Sequence, residues 1–89
     1  MFYRSIVFNQ KGNSFLTATG NNKIILLDMN SLKMKKNYQD HTDAVNSIAF
    51  NNDESCIISS SDDGTCVIWD VETGIIIDKF QVGSKNSVF

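Results

Sequence analysis

No apolar run in this 89-residue sequence is longer than four residues, as in Ile24-Ile25-Leu26-Leu27, against the roughly 20 needed for a helix to span a bilayer. A membrane-spanning helix is therefore excluded. The opening residues, Met1-Phe2-Tyr3-Arg4-Ser5-Ile6, lack the apolar core of a secretory signal, and no Asn-x-Ser/Thr acceptor occurs anywhere. A cytoplasmic or nuclear chain is the expectation. Positive charge is also scarce: 8 Lys and Arg against 10 Asp and Glu leave a net charge of −2. No global positive field exists to draw the chain onto nucleic acid or acidic lipid, which disfavours both as partners. Proline is absent altogether. The apolar content is not low, however, and 42% hydrophobic residues is enough to build a core.

Cysteine is limited to Cys56 and Cys66. If the turn between them centres near Asp63, Cys66 lies across from Ser60 and Cys56 sits four residues further along the same strand. At about 3.3 Å per strand residue that separation is roughly 13 Å, whereas bridged Cα atoms lie within about 7 Å. Two free thiols follow, in keeping with a reducing compartment. Neither has a second Cys or a His at ligand spacing, and the acidic turn lacks the Asp-x-Asp-x-Asp-Gly pattern of a calcium loop. No metal and no cofactor is expected.

What the sequence does contain is concentrated between residues 40 and 70. Apolar runs at Ala44-Val45 to Phe50, at Ile57-Ile58 and at Val67-Ile68-Trp69 are separated by polar, turn-rich clusters. Each run is too short for a helix in a packed domain and reads as a strand. Ser61-Asp62-Asp63-Gly64-Thr65 supplies hairpin chemistry, since glycine takes positive φ freely and Asp side chains bond their own backbone. Because the apolar residues are consecutive, these strands are expected to be buried on both faces, as in sheet-on-sheet packing.

The chain also repeats. A shift of 42 residues matches Ser5 to Ser47, Ile6 to Ile48, Phe8 to Phe50, Asn9 to Asn51, Asp28 to Asp70 and Gln39 to Gln81, and lays Ile24–Leu27 over Cys66–Trp69. The pattern predicts strands over residues 3–8, 15–18, 23–27 and 34–38, then over 45–50, 56–60, 66–69 and 75–80.

The order His41, Ser59, Asp63-Gly64, Trp69-Asp70 with a repeat of 42 residues resembles the WD40 repeat family. The resemblance implies an all-β fold: two four-stranded antiparallel meander blades of a WD40 β-propeller, with the ring incomplete. It divides the chain into a degenerate repeat at 1–42, a repeat at 43–82 whose motif begins at Asp40-His41, and the start of a truncated third repeat at 83–89. The first repeat departs from the family pattern, with Asn21-Asn22 in place of Asp-Gly and Leu27 in place of Trp; the second has Asp40 where glycine is usual and Asn51-Asn52-Asp53-Glu54 in place of Ser-Pro-Asp-Gly.

His41, Ser59 and Asp63 also supply the residue types of a hydrolase triad, but no Gly-x-Ser-x-Gly elbow accompanies them. By resemblance they form with Trp69 a structural tetrad, Ser61 being the alternative to Ser59, and no residue is assigned a catalytic role. The expected function is a non-catalytic protein–protein interaction scaffold. The resemblance places partner contacts on the loop before the first strand and the turn after the second, here Gln39, Asp40, Thr42, Asp43 and Asp62. Lys33, Lys35 and Lys36 are the one basic cluster; a subunit of an RNA-processing or translation complex is the alternative it hints at, and a catalytic β-propeller, resting on Arg4, Asn46 and Ser47, is a remote one. Since stacked repeats need at least three units to bury a continuous core, two blades are expected to need further blades from a longer chain, another subunit or self-association.

Overall fold

The computed structural model describes residues 6–19 and 22–83. Within them the chain forms eight strands: β1 (Ile6–Phe8), β2 (Ser14–Ala18), β3 (Lys23–Asp28), β4 (Met34–Gln39), β5 (Val45–Phe50), β6 (Cys56–Ser61), β7 (Thr65–Asp70) and β8 (Ile76–Gln81). They make two four-stranded antiparallel meanders in sequence order, β1–β4 and β5–β8. Each connection is a short loop, the only kind a meander requires. The expected strands from residue 3, the Asn21 half of the Asn21-Asn22 turn and the truncated repeat beyond Gly83 lie outside the described residues.

The repeat is carried into the backbone in detail. A shift of 42 residues lays β3 over β7 and β4 over β8, and brings the bulge at Leu26/Leu27 onto the one at Ile68/Trp69. It also superposes every left-handed turn residue: Gly12 (φ 74) with Glu54 (φ 62), Asn22 (φ 64) with Gly64 (φ 91), and Leu32 (φ 58) with Gly74 (φ 76). One residue per hairpin must therefore enter a region where a Cβ crowds the backbone. Glycine meets that demand in one repeat and a bulkier residue in the other.

Leu16, Ala18, Ile24, Leu26 and Tyr38 of the first sheet are buried in one core with Val45, Ile48, Ile57, Val67 and Trp69 of the second. The Tyr38 and Trp69 rings meet edge to face with centroids 5.7 Å apart, and the Tyr38 hydroxyl donates to the Val71 carbonyl at 2.8 Å. Burial, with Asp70 and Glu72 nearby, pushes the Tyr38 phenol up to about 12, so it remains a donor throughout the ordinary pH range.

Two expectations need correction. The last strand starts at Ile76, and Ile75 stands outside it, 65% exposed. The strands β6 and β7 are not buried on both faces: Ile57 and Val67 are fully covered while Ile58 is 41% exposed. The consecutive apolar residues supply two apolar faces, but only one of them has a sheet packed on it among the described residues. As the expected thiol geometry required, Ser60 pairs with Cys66, Cys56 lies four residues along β6, and both cysteines are free.

Leu32 is 62% exposed and left-handed, so replacing it with glycine removes strain and little buried area. Leu32→Gly is expected to stabilise the chain by about 0.5–1 kcal/mol and Gly74→Ala to destabilise it by a similar amount. Paired urea titrations check the sign of each.

Candidate functional site

Trp69 on β7 points its indole into the core, where a buried N–H must find an acceptor. Its Nε1–H donates to Ser59 Oγ on β6 at 2.9 Å, and Ser59 Oγ lies 2.7 Å from Nε2 of His41. On the far side of the imidazole, Nδ1 lies 3.0 Å from Oδ2 of Asp63. Indole can only donate and carboxylate only accept, which orders the whole chain. Trp69 donates to Ser59, Ser59 donates to His41 Nε2, and His41 Nδ1–H donates to Asp63.

The turn that positions Asp63 is built from its own side chains. Gly64 N–H closes the turn on the Ser61 carbonyl at 3.1 Å, and Ser61 Oγ accepts from the Asp63 N–H at 3.0 Å. The Asp63 carboxylate accepts from Thr42 N–H at 2.9 Å, Thr65 N–H at 2.9 Å and the Thr65 hydroxyl. Burial pushes this carboxyl up, but the hydrogen bonds from Thr65, Thr42 and His41 outweigh it and hold the group well below the usual carboxylate range. One carboxylate thus ties the 40–44 loop to the 61–64 turn.

His41, Ser59, Asp63 and Trp69 are brought together; Ser61 instead donates its hydroxyl to the Asp43 carbonyl at 3.0 Å. The connectivity Asp63–His41–Ser59 is that of a proton relay, yet Ser59 is 1% exposed and its oxygen already accepts from Trp69. A nucleophile needs a free, accessible lone pair. The arrangement can hold two loops in register, and it presents no hydroxyl to a substrate.

The rim above it carries the remaining candidates. Gln39 and Thr42 are exposed. Asp40 pairs with Lys79 Nζ at 2.7 Å, Asp43 Oδ1 accepts from Ala44 N–H at 2.8 Å, and Asp62 Oδ1 accepts from Asn46 Nδ2 at 2.9 Å. Sequence reasoning did not include Thr65, Lys79 or the bridging role of Asn46, which also accepts from Ser60 Oγ at 2.8 Å. A Thr two residues after an Asp in a tight turn was the available signal for Thr65; Lys79 and Asp40 are 39 positions apart and carry none. Of the basic cluster, Lys35 Nζ donates to Ser14 Oγ at 2.6 Å. Among the described residues no group of three His, Cys, Asp or Glu side chains is placed to hold a metal, and no helix is long and apolar enough to cross a membrane.

His41→Ala leaves the Ser59 hydroxyl without an acceptor and Asp63 without its ring partner. A loss of about 3–5 kcal/mol is expected in a denaturant titration. Asp63 has a lowered native pKa, so its contribution is fully present above the unfolded value of about 3.9 and is lost as pH falls from there through the native value. Stability is expected to drop below about pH 4 in the parent and to drop less steeply in Asp63→Asn, as acid-unfolding curves would show.

The family described as "WD domain, G-beta repeat" matches residues 32–70, a span holding β4 through β7 and all four members of the buried chain. Among curated proteins, the chain is 32% identical to the THO complex subunit 6 homolog of Danio rerio over 69 residues, covering 78% of this chain and 21% of that protein. It is 34% identical to the WD repeat-containing protein 55 homolog of Drosophila melanogaster over 87 residues, covering 97% of this chain and 15% of the relative. A third relative, guanine nucleotide-binding protein subunit beta-5b of Danio rerio, is 39% identical over 57 residues, or 64% of this chain and 14% of its own length. The chain therefore spans about a fifth or less of the curated relatives it matches. Among solved structures, the β-propeller domain of Cps50 (Swd1) from Myceliophteria thermophila shares the fold with a TM-score of 0.82 at 14% identity, over 89% of this chain and 24% of that one. With the motif, the repeat and the two meander sheets agreeing, the chain belongs to the WD40 repeat family and its sheets are β-propeller blades.

Proposed function

We propose that this chain is a non-catalytic docking scaffold whose rim of loops, Gln39 to Asp43 and Asp62, receives a segment of another protein. The observation that carries this reading is the Asp63 carboxylate, which accepts from Thr42 N–H, Thr65 and His41 at once. It fixes two otherwise independent loops side by side on a rigid sheet, where recognition residues characteristically sit. The buried chain beneath is a structural tetrad in this reading, since Ser59 has no free face to offer. The repeat boundaries that go with it are a degenerate unit at 1–42 and a fuller one at 43–82, and two free thiols suit a cytoplasmic or nuclear setting.

The rim is acidic in character, with Asp40, Asp43 and Asp62 close to the exposed Thr42, so the partner segment it fits is basic or polar. Asp43→Lys and Asp62→Lys are expected to weaken capture of binding proteins on the immobilised chain while leaving the far-UV circular dichroism unchanged. Normal recovery of every partner by both variants would count against the reading.

A second reading, membership of an RNA-processing or translation complex, is favoured by the similarity to THO complex subunit 6 of Danio rerio and of Arabidopsis thaliana. The basic cluster gives it little local support. Lys35 is engaged by Ser14, and the Lys36 stem runs along the Gly74 turn, 3.4 Å from where a Cβ there would lie. Direct RNA contact would appear as binding of a single-stranded RNA oligomer that falls steeply with salt; the scaffold reading expects no such slope.

A further inference from the structure

Where the WD40 pattern usually has glycine before its histidine, this chain has Asp40. The buried chain has no need of a carboxylate there, because it ends on Asp63. Asp40 meets a cation instead: Lys79 Nζ donates to its Oδ2 at 2.7 Å. Lys79 pairs with Val67 across β7 and β8, so by strand register its stem leaves the face that packs on the first sheet, and its ammonium reaches the loop between the two sheets. A shift of 42 residues puts Asn37 at the matching place, opposite Ile25. The strand itself therefore does not require a lysine at this position.

The two side chains are 48% and 32% exposed. Water screens a pair that open, and such bridges add little to stability. What the pair changes is the charge that the rim shows. The hydrogen bond to Asp40, with attraction from Asp40 and Asp63, pushes the Lys79 pKa up, so the cation is present throughout the ordinary pH range. Asp62 is held differently, by the Asn46 side-chain amide at 2.9 Å, which orients the carboxylate and leaves its charge in place. Lys79 lies against Asp40 at far less than the Debye length of about 8 Å, and it cancels most of the field that Asp40 would offer to an arriving charge.

We propose that Lys79 is a built-in counter-ion that competes with a partner for Asp40 and so sets how tightly the rim takes a basic segment, a role that rests on the rim's being a docking surface for such a segment. A partner's lysine or arginine reaches Asp40 only by displacing Lys79. One exposed ion pair is then exchanged for another, and little free energy is gained. Segments with a single positive charge are disfavoured by this competition, while segments dense in positive charge, able to engage Asp43 and Asp62 as well, are preferred.

Fluorescence anisotropy of labelled hexalysine on the full chain at low salt tests this. Lys79→Gln should bind the peptide about two- to fivefold more tightly than the parent, Lys79→Arg should restore the parent's affinity, and the gain should fade in high salt. The gain must also depend on Asp40, so it should be smaller in an Asp40→Asn background. An equal gain in both backgrounds, or none in either, overturns the proposal. So does binding of hexaglutamate that Lys79→Gln abolishes, since Lys79 would then be the recognition group itself. Asp43→Lys and Asp62→Lys separate this role from the docking reading beneath it. If they weaken hexalysine binding while Lys79→Gln binds as the parent does, the docking reading stands and the counter-ion role falls; if they too bind as the parent does, both fall. Should Lys79→Gln fail to fold by circular dichroism, Lys79→Met, which keeps an apolar stem, is read against the same outcomes.

Discussion

An indole N–H can only donate, and burying one in the core of a β-sheet forces a direction on every polar group near it. Trp69 makes Ser59 an acceptor, which leaves the Ser59 proton for His41 Nε2 and the His41 Nδ1–H for Asp63. The chain ends on a carboxylate that has capacity left over, and Thr42 and Thr65 use it. The loop conformation at the rim is thus set from inside the blade. A single apolar residue at position 69 would release the constraint, and the first sheet shows that alternative: Leu27 occupies the matching place, with Thr17 across from Ile25 on the same face.

Much of this could be read from the sequence because the repeat is close to rigid. Once Ile24–Leu27 and Cys66–Trp69 are aligned, the strands and their order of pairing follow together, since a meander leaves no choice of topology; the matching bulges are visible only in the structure. The members of the buried chain were legible by another route: the resemblance to the WD40 repeat, and no spacing rule of its own, implied His41, Ser59, Asp63 and Trp69 as one set. Other features depend on pairwise geometry that no spacing records. Tyr38 reaching Val71 and Lys79 reaching Asp40 join positions far apart in the sequence. Leu32 and Glu54 give no local sign of a left-handed backbone, and only their alignment with Gly74 and Gly12 explains it. The apolar run at Ile57-Ile58 announced two buried faces, whereas the chain covers one, because an apolar sequence states what a face is suited to and not whether a neighbour is present.

That distinction gives the molecule its character. Each sheet is built for the middle of a stack, with one face that receives a neighbour and one that enters it, and loops at the rim positioned from beneath. The rim loops and the flat sheet faces are therefore separate surfaces, held by separate residues. The rim depends on Asp63 and its donors, and the flat faces depend on residues such as Ile58 and Leu27 that touch none of them.

The ordering of the buried chain is the claim on which the rest stands, and the tautomer of His41 reports it directly. Nitrogen-15 NMR of the imidazole, with hydrogen exchange at the Trp69 indole, should show the proton on Nδ1, a bare Nε2, and an indole N–H protected nearly as long as the β6–β7 backbone amides. A proton on Nε2, or an indole N–H that exchanges as fast as an exposed one, would contradict the account.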